Sequence, residues 1–282
     1  MNITLDSIRD DITRAVKIAL EEDIGSGDIT AELIPADQCN SATVITREDA
    51  VICGTAWFDE TFKQLGGIDT IEWMVKDGDH VKANSTLVKL YGNTRSLLTG
   101  ERTALNFLQL LSGTATTASQ YAALAKGKNI SILDTRKTIP GLRTAQKYAV
   151  TCGGCDNHRI GLYDMFLIKE NHIAACGGIK AAVEKARALY PDRLVEVEVE
   201  DLVQLEEAIE AGCDIVMLDN FDEAMIQDGM VKRSSDTLYE ISGNIKQNTL
   251  TSLRSCHINR ISSGAITKHL YSIDLSFKIF NE

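Results

Sequence analysis

The spacing of apolar residues along the chain changes character twice. In MNITLDSIRDDITRAVKIALEED the apolar positions fall three and four apart, which predicts an amphipathic helix, and the glycines and aspartates of EEDIGSGDIT (21–30) predict the loop after it. Short β-like stretches follow at ATVIT (42–46), TIEWMV (70–75) and TLVKLY (86–91), with Asp77-Gly78-Asp79 as a turn, so this part reads as α+β. From Thr99 the sequence TGERTALNFLQLLSGTATTASQYAALA places Leu105, Leu108, Leu111, Ala115 and Ala118 at helical spacing, predicting a long helix at a domain junction.

Beyond that helix the chain alternates apolar strands with helix-like segments. The strands are expected at ISIL (130–133), DMFLI (164–168), LVEVEV (194–199), DIVML (214–218), LYEI (238–241) and NRIS (259–262). GGIKAAVEKARALY (177–190) and DLVQLEEAIEAG (201–212) are among the helices between them. Alternation of this kind favours parallel strands joined by right-handed crossovers, in an open doubly wound sheet or a barrel. Residues with chemical capability follow every strand: Asp134 to Lys137, Lys169 to His172, Glu198 and Glu200, Asp219 and Asn220, Ser242-Gly243-Asn244, and Ser262-Ser263-Gly264. A barrel brings all six tips to one face, whereas an open sheet brings only two or three to its switch point, so the barrel is favoured.

Composition narrows the setting. With 282 residues, 44% of them hydrophobic and 24% charged, the chain can bury one large core or two smaller ones. Its net charge of −11 argues against nucleic acid or an anionic membrane as a partner. Seven scattered cysteines and no secretory leader pattern suit a reducing compartment, and the expected location is the cytoplasm. Cys152 and Cys155 have CxxC spacing with His158 nearby, but no second ligand pair completes a zinc set, so the reading is two small thiols in a glycine-rich loop.

Against the acidic background, DTRKTIPGLRTAQKYAVTCGGCDNHR (134–159) concentrates cations. Arg136, Lys137, His158, Arg159 and Lys169 all lie at or between strand tips and suit a small polyanion, whereas Arg143, Lys147 and Lys180 are expected to face solvent. In VEVEVE (195–200) the period of two sets Glu196, Glu198 and Glu200 on one face. Glu198 and Asp219 offer oxygen ligands for Mg²⁺, directly or through water. The turns at Ser242-Gly243-Asn244 and Ser263-Gly264-Ala265 follow the last two strands, where barrels often bind phosphate. Taken alone, these features leave open a Schiff-base lyase using Lys169, a non-catalytic anion sensor, and a related barrel enzyme with another acceptor.

Longer strings carry a resemblance. GERTALNFLQLLSG (100–113), DTRKTIPGLR (134–143), KYAVTCGGCDNHRIGLYDMFLIKENHI (147–173), VEVE (197–200), LDN (218–220) and SSGAIT (262–267) resemble the quinolinate phosphoribosyltransferase family over nearly the whole chain. The resemblance implies an N-terminal α/β sandwich of residues 1–111, completed by the tail 268–282, and an open-seamed α/β barrel of about six strands over 112–267. It implies transfer of phosphoribosyl from phosphoribosyl pyrophosphate to quinolinate with decarboxylation, in NAD synthesis, with Mg²⁺. Arg102, Arg136, Lys137, His158, Arg159 and Lys169 would line the site. Lys137, Lys169, Glu198 and Asp219 would be the catalytic set, and both glycine turns would hold the 5′-phosphate. It further implies a homodimer in which Arg102 reaches the partner's site. Three positions depart from the family pattern: Cys155 stands for a glycine, Asn244 for another, and Ile139 for a threonine. Cys155 is expected to change its loop only modestly.

Overall fold

A computed structural model describes residues 2–231, 236–242 and 258–280. The chain divides into two compact units, residues 1–120 with 138–155 and 266–282, and residues 121–137 with 156–265.

In the first unit, β1 (Cys39–Thr46), β3 (Thr70–Trp73), β5 (Thr86–Asn93) and β12 (Leu275–Phe280) form an antiparallel sheet in the order β12-β1-β5-β3. The C-terminal strand thus returns to β1, with Thr43 opposite Lys278. Two-residue strands β2 (Ala50–Val51) and β4 (His80–Val81) form a separate pair that the sequence reading did not separate from loop. Buried Ala42, Val44, Val88 and Leu90 of the sheet join Phe58 and Phe62 of α2 (Thr55–Gln64) in one core cluster. Leu97, Leu105 and Leu108 of α3 (Thr94–Ala125) complete it. Helix α3 starts five residues earlier than the apolar pattern predicts, because the Asn93 side chain accepts the Ser96 N–H at 3.2 Å and caps the helix there.

A second cluster ties residues beyond 111 to the first unit. Ile12, Val16 and Leu20 of α1 (Arg9–Ile24) pack with Trp57, Leu111 and Ala115, and with Ala145, Tyr148 and Ala149 of α4 (Arg143–Cys152). Residues 138–155 therefore belong with the first unit. Packing also overturns one surface expectation. Residues Ala145 to Val150 of α4 are all buried, so Lys147 is withdrawn from solvent entirely (0% exposed). Arg143, half-buried, donates to Thr138 Oγ1 at 3.2 Å, and Lys180 is exposed as expected.

The second unit carries six parallel strands, β6 (Ser131–Leu133), β7 (Phe166–Ile168), β8 (Val195–Val199), β9 (Ile215–Leu218), β10 (Leu238–Ser242) and β11 (Arg260–Ser262). Their order is β6-β11-β10-β9-β8-β7, so the first two strands in sequence form the sheet's two edges. All five pairings are parallel. This is an α/β barrel with an open seam.

Register sorts the two faces. Ile168, Val197, Val216 and Tyr239 share one face with Val199, Leu218, Ile241, Ile261 and Ile132. The crossover helices supply apolar stripes, as in α6 (Ile179–Leu189), where Ile179, Ala182, Val183 and Ala186 are buried. Helix α7 (Leu202–Glu210) starts sharply after β8 because the Asp201 carboxylate accepts the N–H groups of Val203 and Gln204, both at 2.8 Å. The other face carries Glu196, Glu198, Met217, Glu240, Arg260, Ser242 and Ser262. Barrel interiors are normally filled with branched apolar residues, so this polar inner face is a departure that calls for a chemical reason.

Candidate active site

The inner face ends, at the carboxyl ends of the strands, in the residues the sequence singled out. Lys169 follows β7 one step beyond the Ile168–Val197 pair, which sets it opposite Glu198. The two side chains form an ion pair, with Lys169 partly exposed and Glu198 largely buried. One strand further, the Asp219 N–H continues the ladder to the Val199 carbonyl at 3.0 Å. Its carboxylate is half-buried and accepts from Asn220 Nδ2 at 2.9 Å. Asn220 adopts φ 57°, a left-handed conformation that asparagine tolerates better than most residues, and the chain turns there. Ser242 ends β10 level with Ser262 of β11.

After β6 the chain presents Asp134, Thr135, Arg136 and Lys137. Asp134 is fully buried and organises the loop that follows: Oδ2 accepts from Asn157 Nδ2 and Oδ1 accepts the His158 N–H, each at 2.8 Å. The Lys137 N–H donates to Thr135 Oγ1 at 3.1 Å. Gly264, after β11, lies against this turn; a Cβ there would come within 2.7 Å of Lys137 Cδ and 3.2 Å of Thr135 Oγ1. Ser263 is buried, and its hydroxyl accepts the Ala265 N–H at 3.4 Å.

Arg159 lies among charges of both signs. Burial lowers its pKa first and the positive field of Arg136 lowers it further, opposed by Glu196, Asp164 and Glu198. Arg159 is therefore within the electrostatic reach of Arg136 and of Glu198, the partner of Lys169. Asp164 fixes the intervening loop by accepting the N–H groups of Ile160 at 2.6 Å and Gly161 at 3.2 Å.

His158 is placed differently from the other cations. It is buried, and its Nε2 lies 3.0 Å from Glu196 Oε2 and 3.3 Å from Glu240 Oε1. Arg260 Nε lies 3.1 Å from Glu240 Oε2. Burial pulls the imidazole down, but the two carboxylates outweigh it and raise its pKa from 6.5 to about 9. Glu196 is raised, by burial first and then by the charge of Glu240, while His158 and Arg260 overcome burial to hold Glu240 low. His158 Nδ1 accepts the Arg159 N–H at 2.7 Å, and the extra proton belongs to the coupled group of His158, Glu196 and Glu240 as a whole.

Sequence reasoning grouped Glu196 with Glu198 and Glu200 on one face but missed Glu240, which shares His158 with it, and Arg260, which pairs with Glu240. The available signal was a lone carboxylate inside the apolar strand LYEI.

Gly243 and Asn244 fall outside the described residues. Arg102 belongs to the first unit, where its guanidinium is exposed, 3.9 Å from Glu101. Cys155 is buried and donates its thiol to the Ala118 carbonyl at 3.2 Å. Cys152 lies instead with Cys53 and Asp77, whose ligand atoms are within 4.8 Å of one another. Both oxygens of Asp77 already serve the fold, one accepting the Gly54 and Thr55 N–H groups at the start of α2 and the other the Tyr148 hydroxyl.

Comparison with known proteins agrees with this architecture. Residues 28–112 match the family model "Quinolinate phosphoribosyl transferase, N-terminal domain" and residues 114–278 match "Quinolinate phosphoribosyl transferase, C-terminal domain". A probable nicotinate-nucleotide pyrophosphorylase [carboxylating] of Bacillus subtilis is 38% identical over 92% of this chain and 90% of its own length. The chloroplastic nicotinate-nucleotide pyrophosphorylase [carboxylating] of Arabidopsis thaliana is 37% identical over 96% of this chain and 84% of its own. Among solved structures, the nicotinate-nucleotide pyrophosphorylase from Francisella tularensis superposes with a TM-score of 0.90 at 47% identity, covering 96% of both chains.

Proposed function

The chain belongs to the quinolinate phosphoribosyltransferase family, and from that premise we propose how the inner face of its barrel does the family's chemistry. The enzyme transfers phosphoribosyl from phosphoribosyl pyrophosphate to quinolinate, releasing pyrophosphate and CO₂ and giving nicotinate mononucleotide for de novo NAD synthesis. Both substrates are polyanions, which gives the cation cluster of an acidic protein its purpose.

The observation that carries the assignment is the Lys169–Glu198 ion pair at the strand ends, with Arg159 within the electrostatic reach of both Glu198 and Arg136. Such a group of like charges is unfavourable without an anion and becomes favourable with one, at about 1.5–3 kcal/mol for each charge-assisted bond. Arg136, Arg159 and Lys169 would grip the carboxylates of the pyridine, Lys137 the leaving pyrophosphate, and Ser263 to Ala265 with Ser242 the 5′-phosphate. As the bond from ribose C1′ to pyrophosphate breaks, positive charge develops on the sugar. Glu198 and Asp219 stabilise it, while the cations stabilise the departing anion. The pyridine nitrogen forms the new bond to C1′ and becomes cationic. The C2–carboxylate bond then breaks to release CO₂, the electron pair left at C2 is stabilised by the adjacent positive nitrogen, and a proton taken up from solvent at C2 gives nicotinate mononucleotide.

The residues fit Mg²⁺: Glu198 on β8 and Asp219, one residue past β9 and hydrogen-bonded through its N–H to Val199, are hard oxygen donors suited to an ion that keeps several waters. Bound there, it would neutralise pyrophosphate charge. Arg102, exposed and held only loosely by Glu101, is assigned to the site of the other protomer in a homodimer. We place the enzyme in the cytoplasm, consistent with its scattered free thiols and with the described residues containing no helix long and apolar enough to cross a membrane.

The test is product stoichiometry. Pyrophosphate and CO₂ should appear one for one only when quinolinate, phosphoribosyl pyrophosphate and Mg²⁺ are all present, and nicotinate or nicotinamide should not replace quinolinate. CO₂ release without the sugar donor would overturn the assignment.

A further inference from the structure

Glu196 and Glu240 occupy inward positions of the barrel, are 0% exposed, and have no part in the chemistry above. Paired buried charges are rarely retained for stability, since apolar residues of similar volume do as well or better. Their contacts point to another reason. The two strands that carry them are separated by β9, yet both carboxylates reach the same nitrogen of His158, and Arg260 holds the far oxygen of Glu240.

The imidazole is thereby fixed from one side only. Its other nitrogen accepts the main-chain N–H of Arg159, and the main-chain N–H of His158 is itself held by Asp134. Arg159 is thus attached to the barrel interior through an imidazole that must stay unprotonated at Nδ1.

We propose that Glu196, Glu240 and Arg260 are positioning residues that clamp His158 and, through its Nδ1, hold the backbone of Arg159 so that its guanidinium meets the pyridine dicarboxylate. The charged groups facing the imidazole are Glu196 from β8, Glu240 from β10 and Arg260 from β11, with Asp134 behind its main chain. The inference rests on Arg159 being a substrate contact, and the experiment separates the two.

Four variants are compared by steady-state kinetics for each substrate and by thermal melting: Arg159→Ala, Glu196→Leu, Glu196→Gln, and Glu240→Gln combined with Arg260→Gln. The combined variant avoids leaving Arg260 as an unpaired buried charge. Glu196→Leu and the combined variant should raise the KM for quinolinate about tenfold, as expected for loss of one well-formed charge-assisted contact. The KM for phosphoribosyl pyrophosphate should stay within about twofold, a split that a general loss of structure does not give. Glu196→Gln keeps an acceptor oxygen for Nε2 and should recover most of the loss. In ¹⁵N-histidine spectra the wild type should show His158 Nδ1 as an unprotonated acceptor, and the combined variant should lose that signature. If Arg159→Ala raises the KM for quinolinate but the other variants do not, the positioning role is wrong and the site assignment stands. If Arg159→Ala leaves it unchanged, both fall. A melting temperature that drops with both KM values unchanged would also overturn the inference.

Discussion

Replacing Lys169 with methionine removes a charge while keeping most of the side chain's length, and the structure separates its effects on folding and on catalysis. Lys169 is 39% exposed and its partner Glu198 11% exposed, so solvent screens the pair and its loss should cost no more than about 1 kcal/mol of stability. For a chain of this size that corresponds to a fall of roughly 2–4 °C in Tm. The catalytic effect should be larger. One charge-assisted bond to substrate is worth about 1.5–3 kcal/mol, hence about 10- to 150-fold in kcat/KM. Glu198, no longer neutralised, would add repulsion of the incoming anion. Lys169→Arg restores the charge and should recover part of the loss. The assay is steady-state release of pyrophosphate from each variant at saturating and limiting quinolinate, with melting measured on the same samples. A Lys169→Met enzyme that melted many degrees lower while keeping its kcat/KM would refute the reasoning, because the pair would then be structural.

Gly264→Ala should push against Lys137 and lower kcat/KM while leaving Tm nearly unchanged, since the atom displaced belongs to a flexible side chain; unchanged kinetics would separate that turn from the site. Asp134→Ala strips the acceptor from both Asn157 Nδ2 and the His158 N–H, at a cost of about 2–4 kcal/mol, and should lower Tm by roughly 4 °C or more. Stability should also fall as pH rises. The group of His158, Glu196 and Glu240 binds more protons folded than unfolded, so its contribution is complete below the unfolded value of 6.5 and is lost as pH passes the folded value of about 9. Urea midpoints at pH 6.5 and pH 9 should differ less in the variant combining Glu240→Gln with Arg260→Gln than in wild type, and an equal difference would contradict the proton count.

Much of this arrangement is readable from the sequence, for reasons that also show where reading fails. The six barrel strands fall within two residues of the predicted segments, because each carries apolar residues on its outer face at a period of two. Lys169, Glu198 and Asp219 are placed by strand period alone. Partnership is not: Glu196 and Glu240 lie more than forty residues apart and meet only because the sheet curls around His158. Charge alone misplaced Lys147, since the helical pattern of α4 does not reveal that it is enclosed on almost every side. The early start of α3 depended on a single asparagine cap, and the two-residue strands β2 and β4 are too short to leave a periodic signal.

A crystal structure with quinolinate bound would test the placement of the site most directly. The pyridine should lie at the carboxyl ends of the barrel strands, with its carboxylate oxygens within about 3.2 Å of nitrogen atoms of Arg136, Arg159 and Lys169. Quinolinate density on another surface, with those three side chains making no contact to it, would contradict it.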